Sequence, residues 1–248
     1  MDGIEITWLG HASFRMRTPE GRIIYVDPWI DGNPACPIGL DEVQTADIVC
    51  VTHGHDDHLG DSLEIVKRTG AILVSLPEIC IYASRHGIEY DRGGGAIHIG
   101  GTARAHEVKI TAVPAAHSSD ILGVEFREEG RVMPGSGCCG FVIRTSNGSC
   151  VYFSGDTGVF GDMELIGRLY RPQVAVLPIG GKYTMGVGQA AFAASLIQPE
   201  VVIPGHYNAF PNQQADPEEL ARRVQVLSPG TEVVALQPGE SYLYRRCK

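Results

Sequence analysis

The stretch Thr52-His53-Gly54-His55-Asp56-Asp57-His58-Leu59-Gly60-Asp61 follows directly on the apolar run Ile48-Val49-Cys50-Val51. A wholly apolar run of this length is what a strand covered on both faces requires. The chain must therefore carry a layered sheet, and one of its buried strands must end in a dense set of imidazoles and carboxylates. That donor mix suits zinc, manganese or iron. A tetrahedral site takes four ligands, and a catalytic one commonly takes three from protein. Three histidines and two aspartates within residues 53–58 therefore imply more than one ion.

The flanking pattern places this stretch in an α/β (α+β) fold. Strands are expected at 4–9, 13–17, 22–26 and 48–51, with a turn at Thr18-Pro19-Glu20-Gly21. A helix is expected over 62–68, with Asp61 as N-cap and Glu64 in capping-box position. Gly70 ends it. A strand at 71–75 and a helix from Pro77 to about Gly87 follow. Residues 92–101 read as a Gly-rich loop, 107–113 as a strand, and 120–137 as a long excursion near the active site. In the second half, strands at 140–145 and 150–153 flank Ser146-Asn147-Gly148, a hairpin signal. Helices are expected over 162–170 and 188–198, and strands at 174–177 and 201–203. A further helix starts at Asp216-Pro217-Glu218-Glu219. Strands at 233–236 and 241–244 close the chain. Both halves run strands first and then alternate strand and helix. This predicts a four-layer αββα sandwich in one domain, residues 1–248, without linker or low-complexity break.

Four apolar runs end alike. Ile48–Val51 leads into the opening cluster. Ile110-Thr111-Ala112-Val113 leads to His117, Val151-Tyr152-Phe153 to Asp156, and Val201-Val202-Ile203 to His206. Strand ends are rigid platforms whose loops can converge on one cleft. His86, His98 and His106 lack this setting and read as ordinary histidines.

The net charge of −9 argues against a generic nucleic-acid-binding role, which needs a basic footprint. The seven cysteines include no C-x-x-C, and the odd, scattered count is not a disulfide framework. Cys50 and Cys150 read as buried thiols. Cys138-Cys139 reads as structural, with a redox or substrate-lining role as the alternative. A reducing compartment fits. The start Met1-Asp2-Gly3-Ile4-Glu5 lacks a basic n-region, and no apolar stretch approaches a membrane span. A cytoplasmic protein with no membrane partner is expected.

His53-x-His55-x-Asp57-His58, with His117, Asp156 and His206 in order, resembles the metallo-β-lactamase superfamily along essentially the whole chain. Thr7-Trp8-Leu9-Gly10-His11 and Asp27-Pro28 belong to the same resemblance. Within the superfamily the chain is most similar to the metal-dependent hydrolases called UPF0173, and more distantly to ascorbate-6-phosphate lactonase. The segments Gly155-Asp156-Thr157-Gly158, Leu177-Pro178-Ile179-Gly180, Thr184-Met185-Gly186 and Ile203-Pro204-Gly205-His206-Tyr207-Asn208 carry the match. The resemblance implies two divalent ions, zinc first, with manganese, iron or nickel also compatible. His53, His55 and His117 would hold one ion and Asp57, His58 and His206 the other, with Asp156 bridging. Asp56 falls outside the set. His53 and His55, two apart in an extended segment, can point the same way. An acidic residue is expected after Gly180, and this chain has Gly181-Lys182 instead. Lys182 would place a cation there.

The expected activity is hydrolysis of an ester, lactone, amide or phosphoester of a small metabolite, an anionic one among the candidates. A bridging hydroxide would attack, the two ions having lowered the pKa of water. Asp57 is the candidate to orient it and move a proton. His11 and Asp27 are candidate supports of the ligands, because ligating histidines give their second N–H to an acceptor. Lys182, Tyr183, Thr184, Met185, Asn208 and Phe210 are candidate substrate contacts. The alternatives are a nuclease or phosphodiesterase on the same fold, which would show a basic groove, and a metal-dependent binding module without turnover. A diiron oxygen-reducing protein would need a carboxylate for one histidine. The sequence does not determine whether the chain forms a homo-oligomer.

Overall fold

The computed structural model describes residues 3–121, 133–135 and 137–246. Of the excursion expected over 120–137, positions 122–132 and 136 lie outside the described residues. Two mixed sheets carry the fold. The first contains β1 (Ile4–Trp8), β2 (Phe14–Arg17), β3 (Ile23–Val26), β4 (Ile48–Cys50), β5 (Ile72–Val74) and β15 (Ser241–Tyr244). Its order is β15-β1-β2-β3-β4-β5. The second contains β6 (Thr102–Ala105), β7 (Val108–Pro114), β10 (Cys139–Arg144), β11 (Cys150–Phe153), β12 (Val174–Pro178), β13 (Val201–Gly205) and β14 (Glu232–Val233). Its order is β14-β13-β12-β11-β10-β7-β6. A small ribbon pairs β8 (Asp120–Ile121) with β9 (Met133–Pro134). In each sheet hairpin-linked antiparallel strands give way to parallel ones, β3-β4-β5 and β11-β12-β13-β14.

Strand alternation explains the layers. Ile24, Val26, Ile48 and Cys50 join the core shared with the second sheet. Tyr25, Val49 and Val51 face the other way, onto Ile65 and Val66 of α2 (Ser62–Thr69) and Ile79 of α3 (Pro77–Arg85). Behind the second sheet lie α4 (Met163–Tyr170), α5 (Val187–Ile197) and α6 (Pro217–Leu227). They bury Met163, Ile166, Ala190, Ala193, Ala194, Leu220 and Val224. The small alanines let α5 lie close to the sheet. The result is the αββα sandwich. Each buried aliphatic side chain contributes roughly 1.5–3 kcal/mol to holding the layers together.

Several details differ from expectation. β6 lies where no strand was expected, because Thr102-Ala103-Arg104-Ala105 is poor in strand formers and is ordered by pairing with β7. The last two strands part company. β14 is only Glu232–Val233 and stays with the second sheet, whereas β15 crosses to the first and pairs with β1. Asp61 stands at the N-cap of α2 but does not cap it. Its Oδ2 instead accepts from the Ile30 and Asp31 amides at 2.7 and 2.9 Å, tying down the loop after β3. By contrast Asp216 caps α6, accepting from Glu218 N–H at 2.9 Å. Among the described residues no helix is long and apolar enough to cross a membrane.

Candidate metal centre

The four strand-end segments meet at one edge of the sandwich. After β4 the chain stays extended through His53 and His55, then turns into the single-turn helix α1 (Asp56–Leu59). A Cβ on Gly54 would lie 2.7 Å from the Asp120 carbonyl, so glycine lets β8 cross here. From the second sheet, β7, β11 and β13 present His117, Asp156 and His206. Ligand-capable atoms of His53, His55 and His117 lie within 4.8 Å of one another. So do those of His53, His58 and Asp156, and those of His11, Asp57 and His206.

Asp156 sits between these groups. Its Oδ1 is 3.3 Å from His58 Nε2, and its Oδ2 is 3.1 Å from His206 Nε2 and 3.7 Å from His117 Nε2. Asp57 Oδ2 is 3.0 Å from His11 Nε2 and 3.7 Å from His206 Nε2. Asp57 and His206 lie in one group with His11, and His58 lies in another with His53 and Asp156, which also reaches His206. His58 is turned by its Nδ1, which donates to Asp27 Oδ2 at 2.8 Å, so its Nε2 faces Asp156. His11 takes the place beside Asp57 and His206.

Asp27 is the hub behind the cluster. Besides His58 it accepts from the Thr52 amide and the Thr52 hydroxyl, each at 2.7 Å. His11 is fully buried and adopts a left-handed backbone, φ +51°. Its carbonyl accepts from Trp8 Nε1 and from the His206 amide, each at 2.8 Å, which locks the two sheets together at the site.

The protonation pattern divides the histidines. Burial, with repulsion from neighbouring imidazoles, lowers His53, His55 and His117 and so favours their neutral, ligating form, with His53 Nε2 and His55 Nδ1 sharing a hydrogen bond at 2.9 Å. Burial also opposes charge on His58 and His206, but Asp156 and the other carboxylates outweigh it. His58 is raised well above its ordinary value, and His206 to about 9. Asp57 and Asp156 are held far below the usual carboxylate range, the imidazoles around them overcoming burial.

These residues fit the binding of metal cations. His58 Nε2, His206 Nε2 and Asp156 Oδ1 are buried and close together, yet lack the alignment of hydrogen bonds. Buried polar atoms without hydrogen bonds are rare. Once the two imidazoles give up their protons, these atoms face one another with lone pairs, which is what a cation requires.

A cleft of about 1090 Å³ opens over the cluster. Of the candidate substrate contacts, Tyr183 and Phe210 line it. The other four are not among its lining residues. Met185 is fully buried in the core, its amide bonded to the Thr157 carbonyl. Thr184 is buried beside it, its hydroxyl directed at the Met185 carbonyl. Asn208 spends its side chain on the Ala215 backbone, accepting from N–H at 2.9 Å and donating to the carbonyl at 3.3 Å. Lys182 lies with its Nζ 5.2 Å from the centre of the Tyr183 ring. Trp29 lines the cleft without having been expected to. Its position just after Asp27-Pro28, at the end of a buried strand, was the available signal. The described cysteines are free thiols. Those of Cys138 and Cys139 point to the carbonyls of Asp156 and Thr52, and burial pushes both well up, out of the reactive range.

Two mixed sheets packed face to face, helices outside, and a histidine–aspartate cluster at the shared edge define a metallo-hydrolase of the β-lactamase fold. A family model described as a Beta-lactamase superfamily domain matches residues 5–206. A UPF0173 metal-dependent hydrolase of Methanopyrus kandleri is 49% identical over 96% of this chain and 99% of its own. Another, from Archaeoglobus fulgidus, is 43% identical over 98% of this chain and 100% of its own. Among solved structures, Igni18, a metallo hydrolase from Ignicoccus hospitalis, is 38% identical with a TM-score of 0.85, covering 98% of this chain and 99% of its own. The chain belongs to the UPF0173 family of metal-dependent hydrolases within the β-lactamase superfamily.

Proposed function

We propose that the protein hydrolyses an ester, lactone, amide or phosphoester bond of a small metabolite at a centre of two divalent ions. The observation that carries this reading is Asp156. One of its oxygens faces His58 and the other faces His117 and His206, the placement of a carboxylate shared between two ions. His53, His55 and His117 would hold one ion and Asp57, His58 and His206 the other, with Asp156 placed to serve both. Five imidazoles and two carboxylates favour zinc. Bound ions supply Lewis acidity and bring the pKa of water toward neutrality.

The remaining work falls to the chain. Asp57 is the more exposed of the two candidate ligand carboxylates, its side chain 31% exposed against 4% for Asp156. A carboxylate held so far below its usual range is a weak base. Its part is to accept a hydrogen bond from the attacking water and orient it, the water's proton passing to the leaving group as the bond breaks. His11 holds Asp57 Oδ2, so that this orientation is fixed before substrate arrives. Asp27 does the same for His58.

Metal analysis of the reconstituted protein is expected to give two ions per chain. Asp57→Ala and His206→Ala should each lose close to one ion. Both should lower turnover on a panel of esters, lactones and phosphodiesters by about a hundredfold or more. Full metal content and full activity in either variant would sink the two-ion reading.

A further inference from the structure

Trp29 and Phe210 stand nearly parallel, ring centroids 6.2 Å apart and planes at 15°. Both are half-buried and both line the cleft. His11 meets each edge-on, 5.5 Å between centroids. The same imidazole touches Asp57 at 3.0 Å. The ring pair is thus one side chain removed from the centre.

The wall is held from behind. A Cβ on Gly60 would lie 2.7 Å from Trp29 Cα, so α1 ends hard against the tryptophan backbone. Trp29 N–H donates to Ser13 Oγ at 2.9 Å, and that hydroxyl donates to the Asp27 carbonyl at 2.7 Å. Rigid rings facing a cleft offer a large contact area with little rotamer entropy to lose, and they prefer flat partners. The charge of the cleft points the same way. Among the described lining residues outside the cluster, Asp31, Asp56, Asp61 and Glu64 stand against Lys67. That balance disfavours an anionic group.

We propose that Trp29 and Phe210 form the subsite for a flat, uncharged apolar group of the substrate, adjoining the bond that is cleaved. This rests on the hydrolytic reading and narrows its substrate class.

The test compares methyl acetate, benzyl acetate and 4-carboxybenzyl acetate with the metal-loaded protein. Benzyl acetate should exceed the other two in kcat/KM by about tenfold or more, the discrimination a hydrophobic pocket supplies. Trp29→Ala and Phe210→Ala should each shrink that preference toward unity, and two variants guard against one that fails to fold. A second readout does not depend on turnover. The chain has two tryptophans, and Trp8 is 4% exposed beneath Tyr207. Quenching of emission by N-benzylacetamide should therefore report Trp29 and disappear in Trp29→Phe. Probe binding without hydrolysis of any ester would leave the subsite standing and count against ester hydrolysis. Equal rates on the methyl and benzyl esters, preference for the carboxylated ester, or no quenching would overturn the subsite.

Discussion

His11 combines three properties that are costly separately. It is polar and fully buried, its backbone is left-handed without being glycine, and it makes a single side-chain hydrogen bond, to Asp57. A non-glycine residue in that region costs on the order of 1 kcal/mol, and such strain persists where the surroundings enforce it. His11→Asn keeps a residue that tolerates left-handed φ and removes the imidazole. On the two-ion reading proposed above, affinity for the ion beside Asp57 is expected to fall about 10–100-fold, as for other supporting contacts to ligands. The ion at His53, His55 and His117 should be unaffected. Metal titration followed by equilibrium dialysis reads this directly, and two ions held with wild-type affinity would show that His11 only fills space. At this scale much was legible. Seven histidines and aspartates at four strand ends stand out in the sequence because no ordinary loop needs them. The contact of His11 with Asp57 joins residues 46 apart, and the half-buried face of Trp29 depends on where Phe210 folds. Neither is encoded in local spacing.

Among elements, the segment from β4 to α1 does most to shape the centre. It is extended for two histidines and helical for one turn, so it places His53 and His55 beside His117, His58 beside Asp156, and Asp57 beside His11 and His206. Gly54 makes the crossing with β8 possible. In Gly54→Ala the new methyl would meet the Asp120 carbonyl at 2.7 Å and the Ile121 side chain at 2.9 Å. Overpacking of this kind costs about 1–3 kcal/mol. At roughly 2–4 °C per kcal/mol for a chain of this size, Tm should fall by about 2–12 °C. Affinity at His53 and His55 should fall with it, because the clash displaces the peptide that joins them. A melt matching the wild type would mean that β8 yields freely. Apolar runs and Gly/Pro punctuation made most strands and helices legible. Partner choice overrode local pattern at β6, ordered by β7, and at Asp61, whose carboxylate serves the loop after β3 rather than its own helix.

In the whole molecule the centre is a staple between two sheets. His53, His55, Asp57 and His58 leave the first sheet, and His117, Asp156 and His206 leave the second. Ions that bind only the folded chain stabilise it by mass action, about 4 kcal/mol per site at a thousandfold excess over Kd. Chelation should therefore lower Tm substantially, and the loss should depend on pH. In the ion-free protein, protonated His58 and His206 pair with Asp156, and His206 also with Asp57. A histidine raised on folding contributes stability that is full below its unfolded pKa, about 6.5. That contribution is lost as pH rises through the folded value, about 9 for His206. The same protons must leave before an ion can bind. Below about pH 7 the lowered histidines His11, His53, His55 and His117 oppose this trend, so it is above that point, from about 7 toward 9, that raising the pH weakens the ion-free fold and strengthens ion binding together. The gap in Tm between metal-loaded and chelated protein should widen across that range. Ion uptake at neutral pH should release protons, read as a binding enthalpy that changes with the ionisation enthalpy of the buffer. In His206→Ala the proton release should shrink, while uptake at His53, His55 and His117, already neutral, should persist. A gap independent of pH, with no buffer dependence, would mean that the carboxylates do not hold protons on these histidines.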